Sequence, residues 1–323
     1  VPEIRIGDGV QIGYGALITG AAAIGAFGTE GKPTSIGPGA VIDGATIEPG
    51  AYVSALARVG PGVTVPTGLK VLPGARVTTD AEASDPALGK VAPITPEDVA
   101  EFGRSITGNL QLAAGYITLY QGQSNTGVSP GVPTTRTGVF NGNLATILGA
   151  NNQPGAPTSF LPPGAAPRFP SPRRGLVAGS LVGFGARATG NASFLQRARE
   201  ISDAVGRRNA IRADQGQPIT IGSIARTGAG VTINAPNGGS LVIGQRLTAD
   251  DGAVILGGPA GVHAVLGDDV SIGAGAVVQG ASLGTGSVVG AGSYVRDSQF
   301  PAGTVIPPGS IYIDDVLVGQ AGR

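Results

Sequence analysis

Cysteine, methionine and tryptophan are absent from this 323-residue chain, and histidine occurs once. Without thiols there is no disulfide, no cysteine nucleophile and no thiolate-bound zinc. One imidazole, that of His263, is left for every metal-binding or acid–base role. Phe and Tyr together make 4% of the residues, too few for extended sugar-stacking platforms. Acidic and basic residues balance at 21 each with no basic block, which gives no electrostatic case for nucleic acid or an anionic membrane. No apolar run reaches the roughly 18 residues a bilayer-crossing helix needs, so no membrane insertion is expected. A chain free of Met and Cys also lacks the side chains most open to oxidation. That predicts an extracellular or cell-surface location, and a start at Val1 instead of Met is expected to reflect processing.

What is abundant is glycine, 57 residues, with 25 prolines, in a chain that is 41% hydrophobic with mean hydropathy +0.21. Much of that glycine is periodic. Ile6, Ile12, Ile18 and Ile24 recur every six residues. The series resumes at Ile36 and Ile42, slips by one to Ile47, and continues through Val53, Val59, Val65, Val71 and Val77. A second series runs Leu266, Ile272, Val278, Leu283, Val289, Val295, Pro301, Pro307 and Ile313. A helix wants period 3.6 and a flat strand period 2, so six fits neither alone. It fits a triangular solenoid: each side is a short strand with one aliphatic residue inward, small residues turn the corners, and stacked coils bury each rung.

The stretch 35–53 (SIGPGAVIDGATIEPGAYV) matches 271–289 (SIGAGAVVQGASLGTGSVV) at constant offset, with the same five-residue slip at the same place. GALITGAAA at 15–23 likewise matches GAVILGGPA at 252–260. The expected fold is an all-β solenoid in two duplicated units, residues 1–86 and 176–323. Between them Thr95-Pro96-Glu97-Asp98 is a helix start, and Val99, Phe102, Ile106 and Leu110 follow at helical spacing. Residues 87–120 are therefore read as a long helix packed on the solenoid. Residues 121–175, rich in Pro, Gly, Ser and Asn, read as a linker or arm. A second, short helix is expected at about 193–205, and Asn191-Ala192-Ser193, formally a glycosylation sequon, is read as its start.

The pattern resembles the hexapeptide-repeat superfamily, which implies left-handed parallel β-helices that usually form trimers. Two stretches are more specific. Residues 62–91 with LAAGYITLY at 112–120 look like the tail of γ-class carbonic anhydrases, where the last coil leads into a long helix. AIRADQGQPITIGSIARTGAGVTINAP at 210–236 is similar to that family's core segment with its Arg-x-Asp-x-x-x-Pro signature. By resemblance, Arg212 and Asp214 make an intersubunit contact, and three histidines would hold a divalent metal with an open position for water. This chain has Asn234, Gly252 (or Asp251) and Leu256 where those histidines should stand, and Gly228 and Ala229 replace the polar pair kept near the metal. No catalytic residue, metal or cofactor is therefore expected.

Other candidates have bland explanations. His263 lies beyond the expected ligand positions and reads as a surface or packing residue. Asp250-Asp251 and Asp268-Asp269 have the oxygens for a hard cation but read as solvated corners. Glycine strings such as GAGAVVQG belong to the six-residue period and open no helix, so they are not phosphate loops. The function expected is a non-catalytic, γ-carbonic-anhydrase-like structural protein that assembles with itself, as a homotrimer or into a fibre, sheath or surface layer. An active carbonic anhydrase with an atypical site, and a carbohydrate- or polymer-binding module, are the alternatives.

Overall fold

The computed structural model describes residues 3–25, 32–120, 174–175, 186–190, 192–196, 198–213, 218–236, 239–259 and 261–322. Strands of two to five residues dominate, and a strand pairs in parallel with the one three places further along the chain, or two places at the start of the second unit, where a helix replaces one strand. The result is β-helix-like, with three sheets per unit. In the first unit, sheet I holds Arg5–Ile6, Ala23–Ile24, Thr46–Ile47 and Thr64–Val65. Sheet II holds Val10–Ile12, Thr34–Ile36, Tyr52–Val53 and Leu69–Val71; sheet III holds Leu17–Thr19, Val41–Asp43, Arg58–Val59 and Arg76–Val77.

In the second unit, sheet IV carries Arg187–Gly190, Ala210–Ala213, Thr232–Asn234, Val254–Leu256, Val277–Gln279, Tyr294–Arg296 and Ser310–Ile313. Sheet V runs from Ala192–Phe194 through Ile219–Ile221, Ser240–Ile243, His263–Leu266 and Ser282–Leu283 to Gln299–Phe300. Sheet VI runs from Ile224–Thr227 through Leu247–Ala249, Ser271–Ile272 and Val288–Val289 to Val305–Ile306.

The six-residue aliphatic series forms the two cores. Ile24, Ile36, Ile42, Ile47, Val53, Val59, Val65, Val71 and Val77 are buried together in the first unit. Each contributes roughly 2 kcal/mol through apolar area removed from water. In the second unit Ile272, Val278, Leu283, Val289 and Val295 do the same. Beyond Val295 the expected phase is wrong by one residue. Ile306 is buried, with Phe300 and Tyr312 against it, while Pro301 and Pro307 lie at exposed corners and Ile313 joins a different cluster. Asp297, left-handed at φ 48°, turns its corner one residue early and shifts all that follows.

Three sheet ends are covered by antiparallel strands: Val91–Pro93 on Leu69–Val71, Arg174–Gly175 on Arg187–Gly190, and Val316–Gln320 on Ser310–Ile313. The helix α1 (Asp80–Ser84), capped by Thr79, further closes the first unit, so this unit extends past residue 86 to its closing strand. Among the described residues the opposite end of the first unit has no such cover. Ile6 and Ile12 stand 51% and 42% exposed, and Ile4 and Leu17 beside them are also exposed.

The helix α2 (Pro96–Tyr120) runs across the outside of sheet II. Thr95 and Asp98 cap it reciprocally: Asp98 N–H donates to Thr95 Oγ1 and Thr95 N–H to Asp98 Oδ2. Asp98 then accepts from Lys70 Nζ at 2.6 Å, Phe102 meets Tyr52 with ring centroids 5.3 Å apart, and Gln11 Nε2 donates to Ser105 Oγ. The buried stripe thus starts at residue 98, and Val99, expected on it, is exposed.

The helix α3 (Ala198–Ala204) is shorter than expected. Residues 192–194 pair in parallel with Ile219–Ile221 instead of starting a helix, because Phe194 packs on the second unit's core as a coil strand. Apart from Arg174–Gly175, the arm expected at 121–175 lies outside the described residues.

Candidate functional site at the seam between the units

The two units lie side by side, joined by one corner of the first against the outer face of sheet IV. That corner, between sheets II and III, comprises Tyr14-Gly15, Pro38-Gly39, Ala55-Leu56 and Pro73-Gly74, one pair per coil. Tyr14, Ala55 and Leu56 cluster with Val254, Leu256, Val277, Tyr294 and Ile311 of sheet IV. The corner needs left-handed backbone, φ 69° at Gly15, 68° at Gly39 and 68° at Gly74, which glycine adopts without strain. A methyl added to Gly15 would lie 3.8 Å from Val254, and one added to Gly39 would lie 3.8 Å from Val277.

Two of the positions where metal ligands were expected fall in this seam. Asn234 and Leu256 are paired neighbours on adjacent strands of sheet IV, both buried on its outer side. Gly252 stays at a corner, φ 68°, with its N–H on Ala229 O. Tyr14 reaches across from the first unit: Asn234 Nδ2 donates to Tyr14 Oη at 2.9 Å, and Arg212 Nη1 donates to it at 3.2 Å. Asn234 Oδ1 is buried with no hydrogen-bond partner among the described residues. Arg212 therefore meets a tyrosine of its own chain. Asp214 lies outside the described residues. Among the described residues no group of three His, Cys, Asp or Glu side chains could hold a metal ion. An amide, a phenol, a guanidinium and a leucine offer hydrogen bonds and packing, and no anionic or imidazole ligand set.

Two coils further on, the seam has a second polar patch. Tyr294 Oη donates to Gln279 Oε1 at 3.3 Å, and burial pushes the phenol up to about 12. Arg296 Nε lies 3.3 Å from Asp297 Oδ2. Burial works against the charge on Arg296, but Tyr294, Glu101 of α2, Asp297 and Asp314 outweigh it and hold its pKa above the ordinary value. Burial raises the Asp297 carboxyl, Arg296 opposes the rise, and Asp314 and Glu101 add to it.

The remaining candidates lie elsewhere. His263 is exposed on sheet V, its Nδ1 against Ser240 Oγ. The paired acids serve corners: Asp251 Oδ1 accepts from Ala229 N–H at 2.7 Å, and Asp268 Oδ1 accepts from Gln245 N–H at 2.6 Å. Asp250 pairs with Arg226 and Asp269 with both ends of the Arg246 guanidinium. Gly228 is required where it stands, since a methyl there would come within 2.2 Å of Asp251 Oδ1.

Tyr14 is the residue that sequence reading passed over. Its signal was a large aromatic at a corner where the repeat otherwise places small residues, in a chain with six tyrosines.

Residues 264–296, spanning strands of all three sheets of the second unit, match the family described as the hexapeptide repeat of succinyl-transferase. The match supports a place in the hexapeptide-repeat superfamily. No curated protein and no solved structure matches the chain.

Proposed function

We propose that this chain is a non-catalytic scaffold resembling γ-class carbonic anhydrases: two left-handed hexapeptide solenoids, related by duplication, fused so that their seam occupies the ground of a lost metal pocket. One observation carries the proposal. Asn234, at the place of the first expected ligand, is fully buried, tied to Tyr14 and walled by Leu256. Water-activating metal chemistry needs converging ligands and an open coordination position, and this seam supports neither. The test is metal analysis of the purified protein together with a CO2-hydration assay. The expected result is substoichiometric metal and no rate above buffer; a stoichiometric divalent ion with catalysis overturns the proposal.

Self-association is part of the same reading. A homotrimer made by repeating the seam is disfavoured, because the corresponding face of the first unit, sheet III, shows exposed Arg58 and Arg76 where sheet IV brings Tyr294 and Ile311 into the seam. The exposed rung at Ile6 and Ile12, uncovered among the described residues, favours end-on contact instead, since strand edges and solenoid ends left open recruit further chains. The proposed setting is extracellular, supported by the absence of oxidisable sulfur.

A second reading is acyl transfer, favoured by the matched family's description and by the Ser240–His263 contact beside the matched stretch. Its test is an acyl-CoA transfer assay: turnover abolished by His263→Ala would establish it.

A further inference from the structure

The seam is heterologous: a corner of the first unit sits on a face of the second, coil against coil, with Gly15 at Val254 and Gly39 at Val277. A contact of this kind between like bodies leaves one face and one corner unused. Both can be located. The stretches 35–53 and 271–289 align, which puts sheet III in the place of sheet IV. The same alignment puts the docked corner in the place of the corner between sheets VI and IV. That second corner comprises Asp251-Gly252, Ala274-Gly275, Ala291-Gly292 and Pro308-Gly309. Gly252, Gly275 and Gly292 keep the left-handed backbone, and a methyl added to any of them would meet no described atom within 4 Å. This corner has the form used in the seam and meets nothing.

The unused face is sheet III. Its outward column is Leu17, Val41, Arg58 and Arg76, each the strand partner of the next. Val254, Val277, Tyr294 and Ile311 form the matching column of sheet IV. Leu17 is 53% exposed, and Arg58 and Arg76 are exposed with no ion-pair partner among the described residues. The free face and the free corner flank one wedge. Ala321 N–H donates to Gly309 O at 2.7 Å and Gly322 N–H to Gly74 O at 2.9 Å, so two consecutive residues link the free corner to the docked one. The helix α2 lies on the other side of the seam, where Glu101 bears on Arg296 and Asp297.

We propose that this wedge seats a third solenoid, supplied by a different polypeptide, whose small-residue corner docks on sheet III and whose flat aliphatic face receives the free corner. A second copy of this chain cannot satisfy both surfaces. Its first unit has its corner, and its second unit its face, already engaged in its own seam. Charge narrows the partner further. Arg58 and Arg76 are adjacent in their ladder, where sheet IV offers Tyr294 and Ile311, so the arriving corner carries carboxylates on two successive coils. The proposal rests on the reading of two related solenoids, and not on the absence of catalysis.

The test is site-specific photo-crosslinking of the full chain in the cells that make it. Benzoylphenylalanine in place of Ala274 probes the free corner, in place of Leu17 the free face, and in place of exposed Thr67 a corner remote from the wedge. Positions 274 and 17 should label the same polypeptide, distinct from this chain and with a six-residue aliphatic period in its own sequence. Position 67 should not label it. Adding Arg58→Glu with Arg76→Glu should lower the label at position 274 roughly tenfold or more, because like charges then face each other. Arg58→Lys with Arg76→Lys should keep it, and circular dichroism checks that each variant is folded. The non-catalytic reading fails separately, on metal content and CO2 hydration, and neither result moves the crosslinks. An undiminished label with the glutamate pair refutes the acidic corner. Crosslinks to this chain itself overturn the proposal and give the wedge to a second copy. No label, different polypeptides at the two positions, or a labelled protein without the repeat overturns it as well.

Discussion

Leu56 lies over Gly39. It takes the corner place that glycine holds one coil earlier, keeps the left-handed backbone at φ 58°, and sets its Cδ2 2.6 Å from where a Gly39 methyl would be. A leucine in that conformation costs about 1 kcal/mol, and its side chain recovers this by packing in the seam.

Leu56→Gly should therefore have a muted effect. Loss of a partly buried leucine costs about 2 kcal/mol, and relief of the backbone returns about 1 kcal/mol. The net loss, about 1 kcal/mol, would appear as a small drop in the thermal midpoint. Gly39→Ala should cost more than its size suggests, because strain at φ 68° adds to the collision with Leu56.

The docking of α2 should weaken in acid. Burial alone would raise the Asp98 carboxyl, but hydrogen bonds from Lys70 and Thr95 outweigh it and hold its pKa below the ordinary value. A carboxyl depressed in the folded state stabilises above its unfolded pKa, near 4, and the contribution vanishes as pH falls through the lower folded value. Amide exchange in α2 should rise over that window. Asp98→Asn should remove this pH dependence; an unchanged acid profile would refute the assignment.

At the other end of the scale, Tyr294 is raised to about 12 by burial. A phenol raised in the folded state favours folding below its unfolded pKa, about 10, and that contribution is lost as pH climbs from there toward the folded value. Stability should fall between about pH 10 and 12, and Tyr294→Phe should flatten that fall in chemical-denaturation curves.

Assembly should depend on the exposed rung of Ile6 and Ile12. Ile6→Lys with Ile12→Lys places charges on an exposed end and leaves the buried rungs intact. Light scattering and electron microscopy should show the parent forming larger particles and this variant staying small. A parent that remains a single chain at high concentration removes the case for end-on contact.

The six-residue series was legible because one inward aliphatic per side is all a thin solenoid asks of its sequence. Where a corner shortened through Asp297, the same counting failed, since a left-handed aspartate gives no stronger signal than any polar residue. Asn234 and Leu256 could be singled out where the resemblance expects ligands, but their burial could not, because what covers them comes from Tyr14, 220 residues from Asn234 in the chain. The cap of α2 was readable from Thr95 to Asp98. Its packed face was not, as Lys70, Tyr52 and Gln11 decide it and they lie on three separate coils.

Equal axial steps uncouple the length of the chain from the length of the rod. Thr232 and Val254, or Val277 and Tyr294, are direct strand neighbours, though 22 residues separate the first pair and 17 the second. The difference is taken up in the turns between strands. Insertions there leave the pitch untouched, so those loops are free to diversify while the two rods keep the same gauge.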